Sequence, residues 1–339
     1  MAPTVFITGA SGFVGTCTTL ELVKQGYKVK AAARGIEHAS AHFAAKYPEE
    51  AKSVEWTPIS SITDLEAMTA AAAGCDYMLH LASPYILKIE DNVRDMLSPA
   101  RDGTVTALRA ANVAPSIKRV VIISSFAAIN HIKNGLWPEH TYTEADCNPS
   151  TWDEAVASNN GSFVYCASKE IAENAAWEFM ETEKPHFTLT TFCPPMIYGP
   201  PFQPVSSLDR LNTSLNQLWT LWSGKAKEVP PTGLPCMVDV RDLAYVMVNS
   251  IKNPECPGQR FLVVGDHFSL DQAVFWVAEA FPEQAARMPK TDGKPARPHY
   301  KTDSSKAKKT FGIEWRSAKT TFVDTACALF EIEKELEKK

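Results

Sequence analysis

The sequence contains no run of about 18 apolar residues, the length at which a helix begins to span a membrane. It has no excess of positive charge either. Lys and Arg number 34 against 39 Asp and Glu, for a net charge of −5. Without a basic footprint to neutralise phosphates, nucleic acid is excluded as a partner. No C-x-x-C pair occurs, and no cysteine has a histidine at zinc-finger spacing. The eight cysteines, at 17, 75, 147, 166, 193, 236, 256 and 327, are scattered. They are expected to be reduced thiols that pack, with no resident metal. The opening "MAPTVFITGA" lacks the basic region and cleavage site of a signal peptide. The closing "EIEKELEKK" carries no retention or lipidation signal. The expected location is cytoplasmic. Internal repeats are missing, and low complexity is limited to Ala70–Ala73.

What is present is alternation. "TVFIT" (4–8) is a β-branched apolar run followed by glycines, and 13–26 has helical periodicity ending on Gly26. Strand signals recur at 28–33, 54–59, 76–82, 119–124 and 187–193, and helical stretches at 92–113 and 162–183. Buried strands joined by helical crossovers predict an α/β fold, a doubly wound and mostly parallel Rossmann-type sheet. Right-handed crossovers put the C-terminal ends of its strands on one edge, where ligands bind. After residue 193 the pattern breaks: "CPPMIYGPPFQPVSS" holds five prolines. At 339 residues the chain has room for two lobes. The expected division is a nucleotide-binding domain of 1–197 plus 236–264, with 198–235 plus 265–339 as a smaller substrate lobe.

"TGASGFVG" sets Gly9, Gly12 and Gly15 between the first strand and first helix. A pyrophosphate reaches a helix N-terminus only where no Cβ intervenes, so this turn, with Ser11, Phe13 and Val14, is a candidate dinucleotide cradle. At the end of the second strand an acid would select NAD, whereas a cation accepts a 2′-phosphate. The residue there is Arg34 in "AAARGIEH", with His38 behind it, so NADP(H) is the expected cofactor.

In "FVYCASKE" Tyr165 and Lys169 stand four apart, on one face if the segment is helical. An ammonium beside a phenol stabilises the phenolate and makes the phenol a better proton donor near neutral pH. Taken with "HLASP" (80–84), "IISS" (122–125) and "VDVRD" (238–242) in this order, the chain resembles the extended short-chain dehydrogenase/reductases. Within them it is similar to the dihydroflavonol-reductase branch, which includes fungal NADPH-dependent aldehyde, ketone and methylglyoxal reductases. The resemblance implies a catalytic set of Ser125, Tyr165 and Lys169, with Ser124 as the rival to Ser125. It also implies that Lys169 binds the nicotinamide ribose. Leu81, Ala82, Ser83, Ser124, Pro194, Met196, Ile197 and Ser207 match further cofactor contacts. Where the family usually has an acid touching adenine, this chain has Pro58 and Ile59.

Tyr85, Phe126, Phe163 and Tyr198 neighbour these motifs and are candidates to line a substrate pocket. Trp219 and Trp222, three apart, read as the core of the second lobe. His131 and His140 read as surface residues. The leading expectation is an NADPH-dependent carbonyl reductase, a monomer or homodimer acting on a small carbonyl compound. Two alternatives stand beside it. One is a nucleotide-sugar epimerase or dehydratase with bound NAD, against which Arg34 speaks. The other is a cofactor-sensing regulator without turnover, against which the intact set speaks.

Overall fold

The computed structural model describes residues 2–83 and 89–338. Its strands are β1 (Thr4–Thr8), β2 (Lys28–Ala33), β3 (Val54–Pro58), β4 (Tyr77–His80), β5 (Arg119–Ile123), β6 (Thr141–Tyr142), β7 (Thr188–Cys193), β8 (Met196–Tyr198), β9 (Cys236–Asp239), β10 (Gln259–Leu262), β11 (Asp266–His267) and β12 (Lys301–Thr302). The α-helices are α1 (Phe13–Lys24), α2 (Ile36–Lys46), α3 (Leu65–Ala72), α4 (Ser98–Val113), α5 (Trp152–Ala157), α6 (Gly161–Glu183), α7 (Thr213–Trp222), α8 (Val240–Ser250), α9 (Leu270–Ala280), α10 (Pro282–Ala285), α11 (Ser305–Phe311) and α12 (Ala318–Glu337).

The chain forms two compact units. The first comprises Met1–Gly135, Tyr142–Cys193 and Ala244–Leu262. Its seven strands run in the order β10-β7-β5-β4-β1-β2-β3, and every neighbouring pair is parallel. The chain leaves β1 toward β2 and β3, then returns to β4 and moves the other way. The order therefore reverses between β1 and β4, and a crevice opens at such a point on the C-terminal edge. Phe6, Met78, Val120, Ile122 and Leu189 share a buried cluster with Met68, Leu108, Ala111 and Phe179 of the crossover helices. Strand residues two apart point to one face, so this apolar set seats α3, α4 and α6 on the sheet.

The second unit comprises Leu136–Thr141, Pro194–Leu243 and Val263–Lys339. Its sheet has the order β11-β9-β8. Because β9 pairs with β8 and β11, residues 194–197 and 236–243 group here, as do 136–141 and 263–264, whereas the sequence division put all four stretches with the first domain. Trp219 and Trp222 are buried in a cluster with Phe268, Phe322 and Phe330. The "VDVRD" acids are structural in this unit. Asp239 receives Arg241 and Thr321, and Asp242 receives Arg316.

Candidate active site

The three glycines of the turn after β1 do three jobs. Gly9 has φ +71°, and a Cβ on it would lie 3.1 Å from the Ala82 nitrogen. A Cβ on Gly15 would lie 1.9 Å from the Gly9 carbonyl oxygen, so α1 could not pack this close to the turn. A Cβ on Gly12 would meet only the Gly9 oxygen, at 3.3 Å, and would otherwise occupy the open approach to the helix end. Gly12 is the N-cap of α1, and no side chain caps it among the described residues. First-turn N–H groups and the positive helix end are thus left for an anion. Ser11 and Gly12 are exposed, Val14 is half-buried, and Phe13 is turned into the core. The cradle fits a pyrophosphate, with the Phe13 ring acting as an anchor below it.

The adjoining strand end is held by a buried hydrogen-bond relay. Thr8 Oγ1 accepts from the Leu81 and Ala82 N–H groups, each at 3.1 Å. Its one proton is then directed to His80 Nδ1, 3.0 Å away. His80 is buried, and burial together with nearby Lys169 pushes its pKa down to about 4. The ring stays neutral, with Nδ1 free to accept. Residues 81–83 are thereby fixed beside Gly9.

From this strand end the site passes to α6. Ser83 Oγ accepts from Lys169 Nζ at 2.6 Å. Desolvation lowers the Lys169 ammonium to about 8, although part of the side chain remains accessible. The same Nζ lies 5.4 Å from the centroid of the Tyr165 ring. Helical spacing stacks the two residues, and the start of the helix is well secured. Asn160 caps it by accepting from Ser162 and Phe163 N–H. Asn92 Nδ2 donates to the Ala155, Val156 and Ser158 carbonyls just upstream.

The two serines after β5 have different fates. Ser124 extends the strand, donating its N–H to the Phe192 carbonyl at 2.7 Å. Its hydroxyl donates to Glu173 Oε2 at 2.6 Å and is committed there. Ser125 has extended backbone, φ −157° and ψ 152°, and opens a short 3-10 turn, Phe126–Ala128. Its Oγ accepts from the Ala127 N–H at 3.1 Å, which polarises the hydroxyl and leaves its proton to donate. Glu173 is on α6, four residues beyond Lys169, so Ser125 follows directly on a residue bound to the helix of Tyr165.

Other expected residues are placed as follows. Arg34 and His38 are exposed past the end of β2, flanking Gly35, the N-cap of α2, which has no side-chain cap. Ile59 is buried against Met68 and Ala71, so its side chain belongs to the core and only its backbone lies along the strand end. In the second unit, Pro194 is buried, Met196 and Ile197 pair with Met237 and Val238, and Ser207 caps its own turn by accepting from the Asp209 N–H.

The aromatic wall expected from the sequence needs correction. Phe126 is buried against Tyr142, and Tyr198 is buried with its hydroxyl on Gln217. Neither presents a surface to a substrate, because both alternate into hydrophobic cores. Phe163 is mostly buried beside Leu97 and Val164, with Lys133 over its ring. Tyr85 lies outside the described residues. His140 stacks on Trp137, and the His131 backbone N–H donates to the Tyr142 hydroxyl. Among the described residues no group of three or more potential metal ligands occurs. Sequence reasoning gave no role to His80, Asn92, Glu173 or Arg260. Glu173 alone carried a signal, its four-residue spacing from Lys169.

The family described as "NAD dependent epimerase/dehydratase family" matches residues 5–265. A ketoreductase of Aspergillus niger is 33% identical over 339 residues, covering 98% of each chain. An NADPH-dependent methylglyoxal reductase of Saccharomyces cerevisiae is 31% identical, covering 97% of this chain and 98% of its own. The crystal structure of a yeast methylglyoxal/isovaleraldehyde reductase complexed with NADPH superposes with a TM-score of 0.85. It is 28% identical and covers 98% of this chain and 99% of its own.

Proposed function

Since the chain belongs to the NAD dependent epimerase/dehydratase family, within the extended short-chain dehydrogenase/reductases, we propose that it is an NADPH-dependent carbonyl reductase with Tyr165 as proton donor. Its substrates are small aldehydes and ketones, the class named for its fungal relatives. The observation that carries the reading is the unbroken line from glycine turn to tyrosine: Gly9 against Ala82, Ser83 on Lys169, Lys169 over Tyr165.

The glycine cradle holds the pyrophosphate, and Arg34, with His38, meets the 2′-phosphate. An exposed guanidinium where an NAD enzyme would carry an acid favours NADPH over NADH. NADPH, when bound, supplies the hydride. Ser125 donates a hydrogen bond to the substrate oxygen as negative charge grows there. Tyr165 gives that oxygen its proton. Lys169 steadies the phenolate left behind, and in the reverse direction the phenolate takes the alcohol proton back. Because the Ser124 hydroxyl is bound to Glu173, Ser125 is the serine free for this task. We place the enzyme in the cytoplasm, a reading supported by eight scattered cysteines with no C-x-x-C pair.

The test is NADPH oxidation across methylglyoxal, branched aliphatic aldehydes, aromatic aldehydes and β-ketoesters, with NADH in parallel. Turnover with NADPH ahead of NADH supports the reading. Protein that purifies with NAD bound and oxidises NADPH with none of these would favour the epimerase alternative.

A further inference from the structure

Glu173 is buried, at 3% side-chain exposure, and its carboxylate meets two elements of the sheet at once. Oε1 accepts from Thr191 Oγ1 on β7 at 2.8 Å and from Arg260 Nε on β10 at 3.0 Å. Oε2 accepts from Ser124 Oγ at 2.6 Å and from Arg260 Nη2 at 3.0 Å. The Arg260 guanidinium is therefore bidentate on Glu173. It uses its remaining donors on the Ala128 carbonyl at 3.1 Å, the Asp146 carbonyl at 2.7 Å and the Glu144 carbonyl at 3.2 Å.

The arrangement brackets Ser125 from both sides. The residue before it is tied to Glu173. The last residue of the turn it opens, Ala128, is tied to Arg260, which is itself tied to Glu173. Glu173 lies four residues beyond Lys169 and eight beyond Tyr165 on the same rigid helix. Without these ties, the distance between Ser125 and Tyr165 would depend on a strand end and a loop. A buried ion pair contributes little net stability, because desolvation offsets its attraction. What it supplies is a single geometry, since charge-assisted bidentate bonds are directional.

We propose that the buried Glu173–Arg260 pair, acting through Ser124 and Ala128, is a positioning unit that fixes the Ser125 hydroxyl relative to Tyr165 and Lys169. The inference rests on the assignment of Ser125, Tyr165 and Lys169 made above. The pair takes no part in proton transfer. It sets the spacing at which one substrate oxygen meets both hydroxyls.

Ser124→Ala is the sensitive probe, because it removes one oxygen atom and leaves Arg260 paired with Glu173. The measurements are kcat, KM, the Kd of NADPH by fluorescence quenching, and Tm, with Ser124→Thr and Ser125→Ala alongside. The expected result is a kcat lowered roughly 10- to 100-fold, the range that a small misplacement of a catalytic group produces. KM and Tm stay near the parent values, Kd changes far less than kcat, and Ser124→Thr recovers most of the lost kcat. Ser125→Ala loses more than Ser124→Ala. Full activity in Ser124→Ala would overturn the positioning role while leaving the catalytic reading intact. A near-complete loss in Ser124→Ala with Ser125→Ala still active would make Ser124 the catalytic serine and overturn both.

Discussion

The Lys169 ammonium lies 5.4 Å from the centroid of the Tyr165 ring and donates to Ser83 Oγ at 2.6 Å. One cation thus joins the helix of the tyrosine to the strand end beside the glycine turn. Desolvation lowers its pKa to about 8, from an ordinary 10.5. Below pH 8 the folded, cofactor-free protein bears the full cost of a buried charge. Between pH 8 and 10.5 the unfolded chain holds a proton that the folded one has released, so stability rises with pH. Lys169→Met should therefore raise the Tm of the cofactor-free protein at pH 7, by an amount corresponding to about 1–3 kcal/mol. The gain should shrink toward pH 10, and reductase activity should be lost. A Tm difference independent of pH in differential scanning calorimetry would refute this.

The glycine turn separates folding from binding. Gly15→Ala puts a methyl 1.9 Å from a backbone oxygen, a clash that no rotamer relieves, and should yield unfolded or insoluble protein. Gly12 has φ −83°, which alanine adopts freely. Gly12→Ala should keep its circular dichroism spectrum and most of its Tm. It should weaken NADPH by about 10-fold or more, equivalent to 1.4 kcal/mol per decade. Titration calorimetry showing unchanged affinity would remove the pyrophosphate from this turn.

Arg34 should govern cofactor choice. A charge-assisted hydrogen bond is worth about 1.5–3 kcal/mol, so Arg34→Ala should lower the NADPH-to-NADH ratio of kcat/KM about 10- to 100-fold. The change should fall on NADPH, leaving NADH nearly constant. Equal loss with both cofactors would point to a general structural role.

Glu170 offers a test of buried charge next to the site. It is buried and accepts from Asn174 Nδ2 at 2.8 Å; burial raises its pKa to about 7 against the opposing pull of Arg260, with Glu173 adding to the rise. The folded state holds a proton up to pH 7 that the unfolded state loses near 4.5. Stability therefore falls as pH rises through that window, and the cost remains above it. Glu170→Gln keeps the acceptor for Asn174 and should stabilise at pH 8, by up to about 3 kcal/mol, with no gain at pH 4.5. Urea denaturation at the two pH values checks the sign.

The first unit was legible in the sequence because its signals are local. Six strand signals, a glycine turn at a strand–helix junction and a four-residue Tyr–Lys spacing each follow from backbone geometry over a few residues. The second unit was less so. Strands β8 and β11 have three and two residues, too short for periodicity to show, and β9 finds its partners only in three dimensions. Phe126 and Tyr198 depart from the expected aromatic wall for a related reason. Sequence neighbours of a motif alternate sides on a strand or turn, so Phe126, beside Ser125, points into the core. Glu173 and Arg260 are 87 residues apart, and no local pattern announces their pairing.

The most direct measurement is single-turnover reduction of methylglyoxal by Tyr165→Phe with NADPH prebound, monitored by loss of nicotinamide absorbance. Removing one hydroxyl oxygen should leave the NADPH Kd within about 2-fold and lower the rate by roughly 100-fold or more, the scale of general acid catalysis. A variant that binds NADPH and reduces the substrate at the parent rate would show that the proton comes from elsewhere, and the roles given to Tyr165 and Lys169 would fall together.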